Sequence, residues 1–468
     1  MRRRLGFVPD IPLEPPTGKG PGIVPAVEDR SYIAYIAAAL ISALTGGFLL
    51  AVWMPLAATD TVGPADRVPW MVQAHGWIQL QGWAGLFVAG MGIRLLPRFV
   101  GQRPVPRTIT LPLLGVLVVP LVLRLVIEPW ADGSLAKGGA VAIGVVSALG
   151  QLGFATVIAT TLIRGRKPHD PWRYFAWAGT VWWLVWAVLS LVFIADEPVP
   201  GWLNVADNDA FAWVVMLGAI ANFIWSVQSR SVPVFFGRKT PTMRAAVVPG
   251  VAFNLGVALI AVPMAASGES RERWEGVGWL LAGGALIVLP LICGAVWGEA
   301  HRLRPRAKSA ARFVLAANAA AVVAGPLLVF AGVRLLAGEP GGMTVFTRDA
   351  ARHLIGIGLI TMLIPGMARL VAPVFALERT EAGVPQLLER MPFWLFVAAL
   401  VLRVGAALLA EPLGYESRMH LASLAGVLGW AAIAIFAYSV LRAVRAAPKN
   451  KRALEDLAEQ AKRQRAGE

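Results

Sequence analysis

With a single cysteine, Cys293, the chain has neither an internal disulfide nor a cysteine-based zinc site, so metal or cofactor ligation rests on its five histidines. His169 and His301 lie in the basic segments RGRKPHDPWR and EAHRLRPRAK, where a solvated role is simplest. His75, His353 and His420 instead fall in the first turns of the second, tenth and twelfth long apolar runs, all at one end of those runs. An ionisable side chain inside a spanning helix is costly and normally faces the bundle interior. A common depth is the minimum condition for shared ligation, and the plain alternative is three interior histidines held by hydrogen bonds. The segment AHGWIQLQGWAGLFVAG sets Gln79 one turn beyond His75, followed by Gly82, Gly85 and Ala89. In RHLIGIGLITMLIPG, His353 is followed by Gly356 and Gly358. Bare faces of this kind admit a flat macrocycle and equally admit close packing of a second helix.

Arginines form the second constellation. LVLR ends at Arg124, with Glu128 one turn on, and a second LVLR ends at Arg403. A guanidinium grips a carboxylate through two parallel hydrogen bonds, so either arginine could hold an acidic cofactor edge such as a haem propionate. The competing reading is a helical Arg124–Glu128 pair and an Arg403 satisfied by carbonyls. Arg94 and Arg230, near the ends of their runs, read as snorkelling anchors. Gln151, Asn222, Gln228, Asn254 and Asn318 read as polar glue between helices.

The elements that must position these residues are membrane helices. The 468-residue chain is 57% hydrophobic and 15% charged, with a mean hydropathy of +0.63, which excludes an ordinary soluble enzyme. A span needs about 20 mostly apolar residues. Twelve such runs occur, near 31 to 54, 70 to 97, 108 to 128, 140 to 163, 172 to 194, 210 to 233, 245 to 266, 276 to 298, 311 to 335, 347 to 373, 392 to 410 and 418 to 441. The signature R-x-x-P-x-F-x-G closes the second run as Arg94, Pro97, Phe99 and Gly101, and recurs 136 residues on as Arg230, Pro233, Phe235 and Gly237. A looser copy carries Gly90, Met91, Pro97 and Phe99 into Gly366, Met367, Pro373 and Phe375, 276 residues on. Self-similarity at this spacing predicts an all-α polytopic membrane protein of twelve transmembrane helices arranged as three four-helix pseudo-repeats, near 31–165, 171–300 and 309–445. Residues 1–30, broken by prolines, read as a disordered cytoplasmic leader; 446–468 read as a polar cytoplasmic tail.

Loops after even runs are basic, as in RFVGQRPVPR and FFGRKTPTMR, and those after odd runs are acidic and Gly/Pro-rich, as in DEPVPGWLNVADND. Lys and Arg are retained on the cytoplasmic side, so both termini are expected there. The net charge of +15 then reports topology and contact with the lipid bilayer, not nucleic acid. No G-x-x-x-x-G-K-[ST] is present, which argues against ATP-driven transport, and no run carries a central carboxylate of the kind a proton-coupled transporter needs.

Twelve helices in three repeats, with histidines entering from the outer face on helices 2 and 10, resemble the catalytic subunit of the haem-copper oxidases. The text of HGWIQLQGWAGLFVAGMGIRLLPRF, RHLIGIGLITMLIPGMARLVAPVF and HLASLAGVLGWAAIAIFAYSVLR is closer still to the NnrS family of haem- and copper-containing membrane proteins linked to nitric oxide metabolism. The resemblance spans residues 31 to 445. It implies a b-type haem near the outer face held by His75 and His353, with Arg124 and Arg403 beside its acidic edge, or a metal site shared with His420, where copper is the candidate. It further implies a bacterial inner membrane protein acting in nitric oxide or nitrosative-stress handling, or in electron transfer from a donor protein or quinone. The sequence departs from the pattern too: helix 6 has no histidine and helix 7 no paired histidines, so the oxidase copper site is missing; Trp77 and Arg94 stand where relatives tend to carry further histidines. The different-class alternative is a cofactor-free transporter or assembly scaffold that retains the fold.

Reporter fusions after residues 104, 168 and 240 are expected to read cytoplasmic, and fusions after 62, 133 and 204 exoplasmic. Opposite readings at two or more sites would overturn the inside placement of the termini.

Overall fold

The computed structural model describes residues 30–63, 65–127, 130, 133–166, 170–195, 205–261, 269–296, 303, 308–339, 344–375 and 384–466. Within them the chain is helical and contains no strand. Twelve helices are long and apolar enough to cross a bilayer: α1 Ser31–Ala57, α2 Ala65–Val100, α3 Arg107–Ile127, α4 Gly133–Ile163, α5 Pro171–Phe193, α6 Asp207–Phe235, α7 Met243–Ala261, α8 Arg271–Ile292, α9 Ala310–Leu336, α10 Val345–Val371, α11 Gln386–Leu408 and α12 Tyr415–Pro448. The expected all-α polytopic architecture is thus present. The tail is not a separate element, because the helix begun at Tyr415 runs on without a break to Ala466. The proposed leader, 1–29, lies outside the described residues.

Burial separates the helices into two layers. In α2, α6 and α10, 78, 83 and 83% of the apolar window is buried, against 22–50% in the other nine, so the second helix of each four forms the inner layer. The outer helices pack on their sequence neighbours, and α12 returns to pack on α1. Nothing in lipid can hydrogen-bond an exposed backbone, so each span must satisfy its own peptide groups. The recurring signature has a physical meaning in this setting. Gly101 and Gly237 take left-handed φ of 75° and 68°, while Gln102 N donates to Pro97 O at 2.6 Å and Arg238 N to Pro233 O at 2.7 Å. Both are glycine C-caps that end an inner helix.

The inner helices share a second feature that composition does not announce. Each contains eight residues of π-helix, Ile78–Gly85, Val214–Ala221 and Leu354–Thr361, at the same 136- and 276-residue offsets as the signature. These i→i+5 turns shift the helix register and cluster at functional sites.

All five amides read as glue bond across helices. Asn222 and Asn254 exchange side-chain hydrogen bonds at 2.9 and 3.1 Å, Asn318 donates to Gln228 at 2.9 Å, and Trp183 Nε1 donates to Gln151. Arg94 does not snorkel: it is buried, with its guanidinium 5.0 Å from the Tyr32 ring. Arg230 is half-exposed and lies over Phe99, 3.8 Å from Asp170.

Backbone contact between α7 and α8 depends on glycine. A Cβ on Gly256 would stand 2.6 Å from Ala282 N and 2.7 Å from Gly278 O. Gly256→Val is therefore expected to destabilise the bundle by roughly 1–3 kcal/mol, read as an earlier denaturation midpoint in detergent. An unchanged midpoint would contradict this close approach.

Candidate functional site

His75 on α2 and His353 on α10 line one cavity near the acidic-loop end of the bundle. It encloses about 1350 Å³ of free space, including the part open to solvent. Its walls come from α1, α2, α6, α10, α11 and α12, and they mix Phe48, Leu80 and Trp83 with Asp349, Arg352 and Arg403.

Each histidine is fixed by its own Nδ1. In His75 that atom lies 2.8 Å from Gly47 O, and in His353 it lies 2.8 Å from Asp349 O. A carbonyl can only accept, so Nδ1 carries the proton in both rings and Nε2 keeps a free lone pair. Neither Nε2 makes a hydrogen bond among the described residues. The Gly47 carbonyl is available because the π-helical segment Ala43–Gly47 interrupts α1. Gly47 has ψ −85°, roughly 40° from the helical value, which swings its carbonyl away from the helix axis.

The π-segments also decide which side chains face the cavity. His75, Gln79 and Trp83 line it from α2, and Asp349, His353, Ile357 and Thr361 from α10, each at a spacing of four. Trp83 Nε1 donates to Thr361 Oγ1 at 3.0 Å and ties the two inner helices together below the histidines. Of the glycines expected to bare a helix face, only Gly356 looks into the cavity; Gly82 abuts Ser42 of α1, Gly85 the Leu80 carbonyl and Gly358 Ala320 of α9, while Gly76, which the sequence did not single out, also faces open space.

Ion pairs hold the rim. Arg403 grips Asp349 with both terminal nitrogens, at 2.6 and 2.9 Å, and Asp349 Oδ1 is 3.2 Å from His353 Nδ1. Asp209 on α6, only 6% exposed, accepts from Arg348 at 2.9 Å and lies 2.8 Å from Arg352 in an ion pair. Glu275 on α8 lies 3.8 Å from Arg348, and Asn208 accepts from Trp77 Nε1 at 3.1 Å. Sequence reasoning missed Asp349 and Asp209 by weighing only carboxylates at the centres of the runs, and it gave Arg352 no role. Two signals were available: Asp349 stands one turn before His353, and the repeat offsets superpose Asp349 on Asp209 and on Gln73, which is also buried.

The remaining expected site residues fall elsewhere. Arg124 does not line the cavity; its guanidinium lies 5.2 Å from the ring of Trp77, which does. His420 is exposed and α12 instead contributes Ala422, Ala425 and Gly426 to the wall. Among the described residues no group of three His, Cys, Asp or Glu side chains could hold a metal ion. His169, His301 and Glu128 lie outside the described residues. Two further cavities, one on the axis between α2, α6 and α10 and one between α1 and α12, are almost wholly apolar, which leaves ligand chemistry to the histidine cavity. Compared with known proteins, the chain matches no family model, and no curated protein matches its sequence.

Asp349 and Arg403 are both half-buried, so removing one partner leaves the other charge partly desolvated. Asp349→Leu and Arg403→Leu are each expected to cost about 1–3 kcal/mol, while the double substitution costs less than their sum. Additive losses in denaturant titrations would show that the two side chains do not depend on one another.

Proposed function

We propose that the cavity holds one b-type haem, which His75 and His353 would ligate. In this reading the chain is an NnrS-like protein of the bacterial cytoplasmic membrane, with both termini inside, serving nitric oxide or nitrosative-stress handling or membrane electron transfer. The observation that carries the reading is the matched tautomer of the two rings. Both Nδ1 protons are donated to backbone carbonyls, which orients each imidazole and leaves Nε2 basic, as metal-ligating histidines require.

The rest of the site suits the same occupant. A haem would supply reversible one-electron chemistry here, at a potential set by its axial ligands and surroundings. Asp349 holds the His353 ring through its carbonyl and carboxylate, and it neutralises Arg403, so the two half-buried charges offset one another on the cavity wall. Arg352 and Arg403 are the cationic groups on the cavity wall and would face an acidic cofactor edge; Arg124 acts only through the Trp77 ring. Phe48 and Met54 of α1 and Leu80 and Trp83 of α2 give the cavity an apolar wall suited to a macrocycle.

Protein purified from haem-replete cells is expected to be red with a low-spin spectrum. His75→Ala and His353→Ala each remove low-spin character, and acid weakens ligation because a protonated Nε2 cannot bind iron. His420→Ala leaves the spectrum unchanged, since that ring is outside the cavity. A colourless, metal-free preparation would overturn the reading and assign the cavity to a cofactor-free transporter or scaffold.

A further inference from the structure

We infer that the halves of α1 and α12 nearest the basic loops form a binding groove for one acyl chain of an anionic phospholipid. The two helices are joined tightly at the opposite end. Tyr415 OH donates to Ala58 O at 2.9 Å, Ser423 Oγ to Val52 O at 3.0 Å and Trp430 Nε1 to Leu44 O at 3.0 Å. Between these bonds a Cβ on Gly426 would stand 2.8 Å from the Ala51 carbonyl carbon, so the backbones touch. The zipper ends where α1 passes through its π-helical segment, Ala43–Gly47.

Beyond that point the helices flank about 830 Å³ of free space, including the part open to the surroundings. Ile33, Ile36 and Leu40 form one wall, and Phe436, Val440 and Val444 the other. Ala37 and Leu441 are exposed at the mouth, so the groove opens sideways to the lipid. Its floor lies beneath the outer layer, on Phe87 and Met91 of α2 and Ala368 and Val371 of α10, residues that also line the axial cavity between the inner helices. An occupant therefore leaves the lipid annulus and inserts between α1 and α12. At this depth hydrocarbon is the solvent, and the only polar-tipped side chain on the walls is Tyr32.

Charge identifies the head of the occupant. The groove runs toward the end of α12 where Arg442 is half-buried and Arg445 exposed, within three residues of the wall residues Leu441 and Val444. Basic residues at the membrane surface attract anionic lipid headgroups, each contributing about a factor of five. A chain in the groove thus places its phosphate beside these arginines.

The test is lipid extraction and native mass spectrometry of the full chain after extensive washing in mild detergent. Wild type is expected to retain one anionic phospholipid per chain. Ala437→Trp fills the groove and abolishes retention, while Arg445→Gln, a surface change that leaves packing intact, lowers retention about fivefold. Retention of no phospholipid by wild type, an isoprenoid quinone in its place, or wild-type retention by both variants would each overturn the proposal.

Discussion

A polar group in the bilayer must find its partner inside the protein, and the site is built from the places where the helices leave polar groups unmatched. The Gly47 carbonyl, turned aside by the π-segment of α1, takes the Nδ1 proton of His75. The Asp349 carbonyl takes that of His353, one turn before the π-segment of α10. One carbonyl displaced by a π-segment and one carbonyl of a regular helical turn thereby set two side-chain tautomers, and the tautomers leave both Nε2 atoms available. The Asp349–Arg403 pair follows the same rule, since each half-buried charge beside the histidines is matched by the other.

The threefold repeat explains both the regularity of the scaffold and the asymmetry of the site. Inner helices α2, α6 and α10 share a π-segment in register, and α2 and α6 also share the glycine cap. The side chains at equivalent positions differ. Where α2 has His75, α6 has Phe211 and α10 has Ala351; where α10 has His353, α2 has Trp77 and α6 has Trp213. The rings of Trp77 and Phe211 pack at 4.5 Å, so two of these replacements fill space beside the histidines. The position of Asp349 is retained as Asp209 in α6, where it binds Arg348 and Arg352 of α10. One helix of the three thus supplies charge pairing instead of a histidine.

Much of the fold was legible because hydropathy counts spans and the R-x-x-P-x-F-x-G signature marks the ends of inner helices. His75 and His353 were legible as a pair because depth alone places them in one leaflet and both helices are interior. Depth does not give rotation, which is why His420, at a similar depth on an outer helix, faces away from the cavity. The glycine stripe beyond His75 was read with an α-helical period, and the π-turns change that period; Gly82 consequently meets Ser42 instead of the cavity. The partner of Arg403 was illegible in α11 itself, since Asp349 reaches it only through the packing of α10 on α11.

Determining the structure of the haem-replete protein experimentally tests the central claim most directly. The account predicts planar density in the cavity, with iron within bonding distance of Nε2 of both His75 and His353 and each Nδ1 still on its carbonyl. Haem absent from the cavity, or bound there with either histidine unligated, would contradict it.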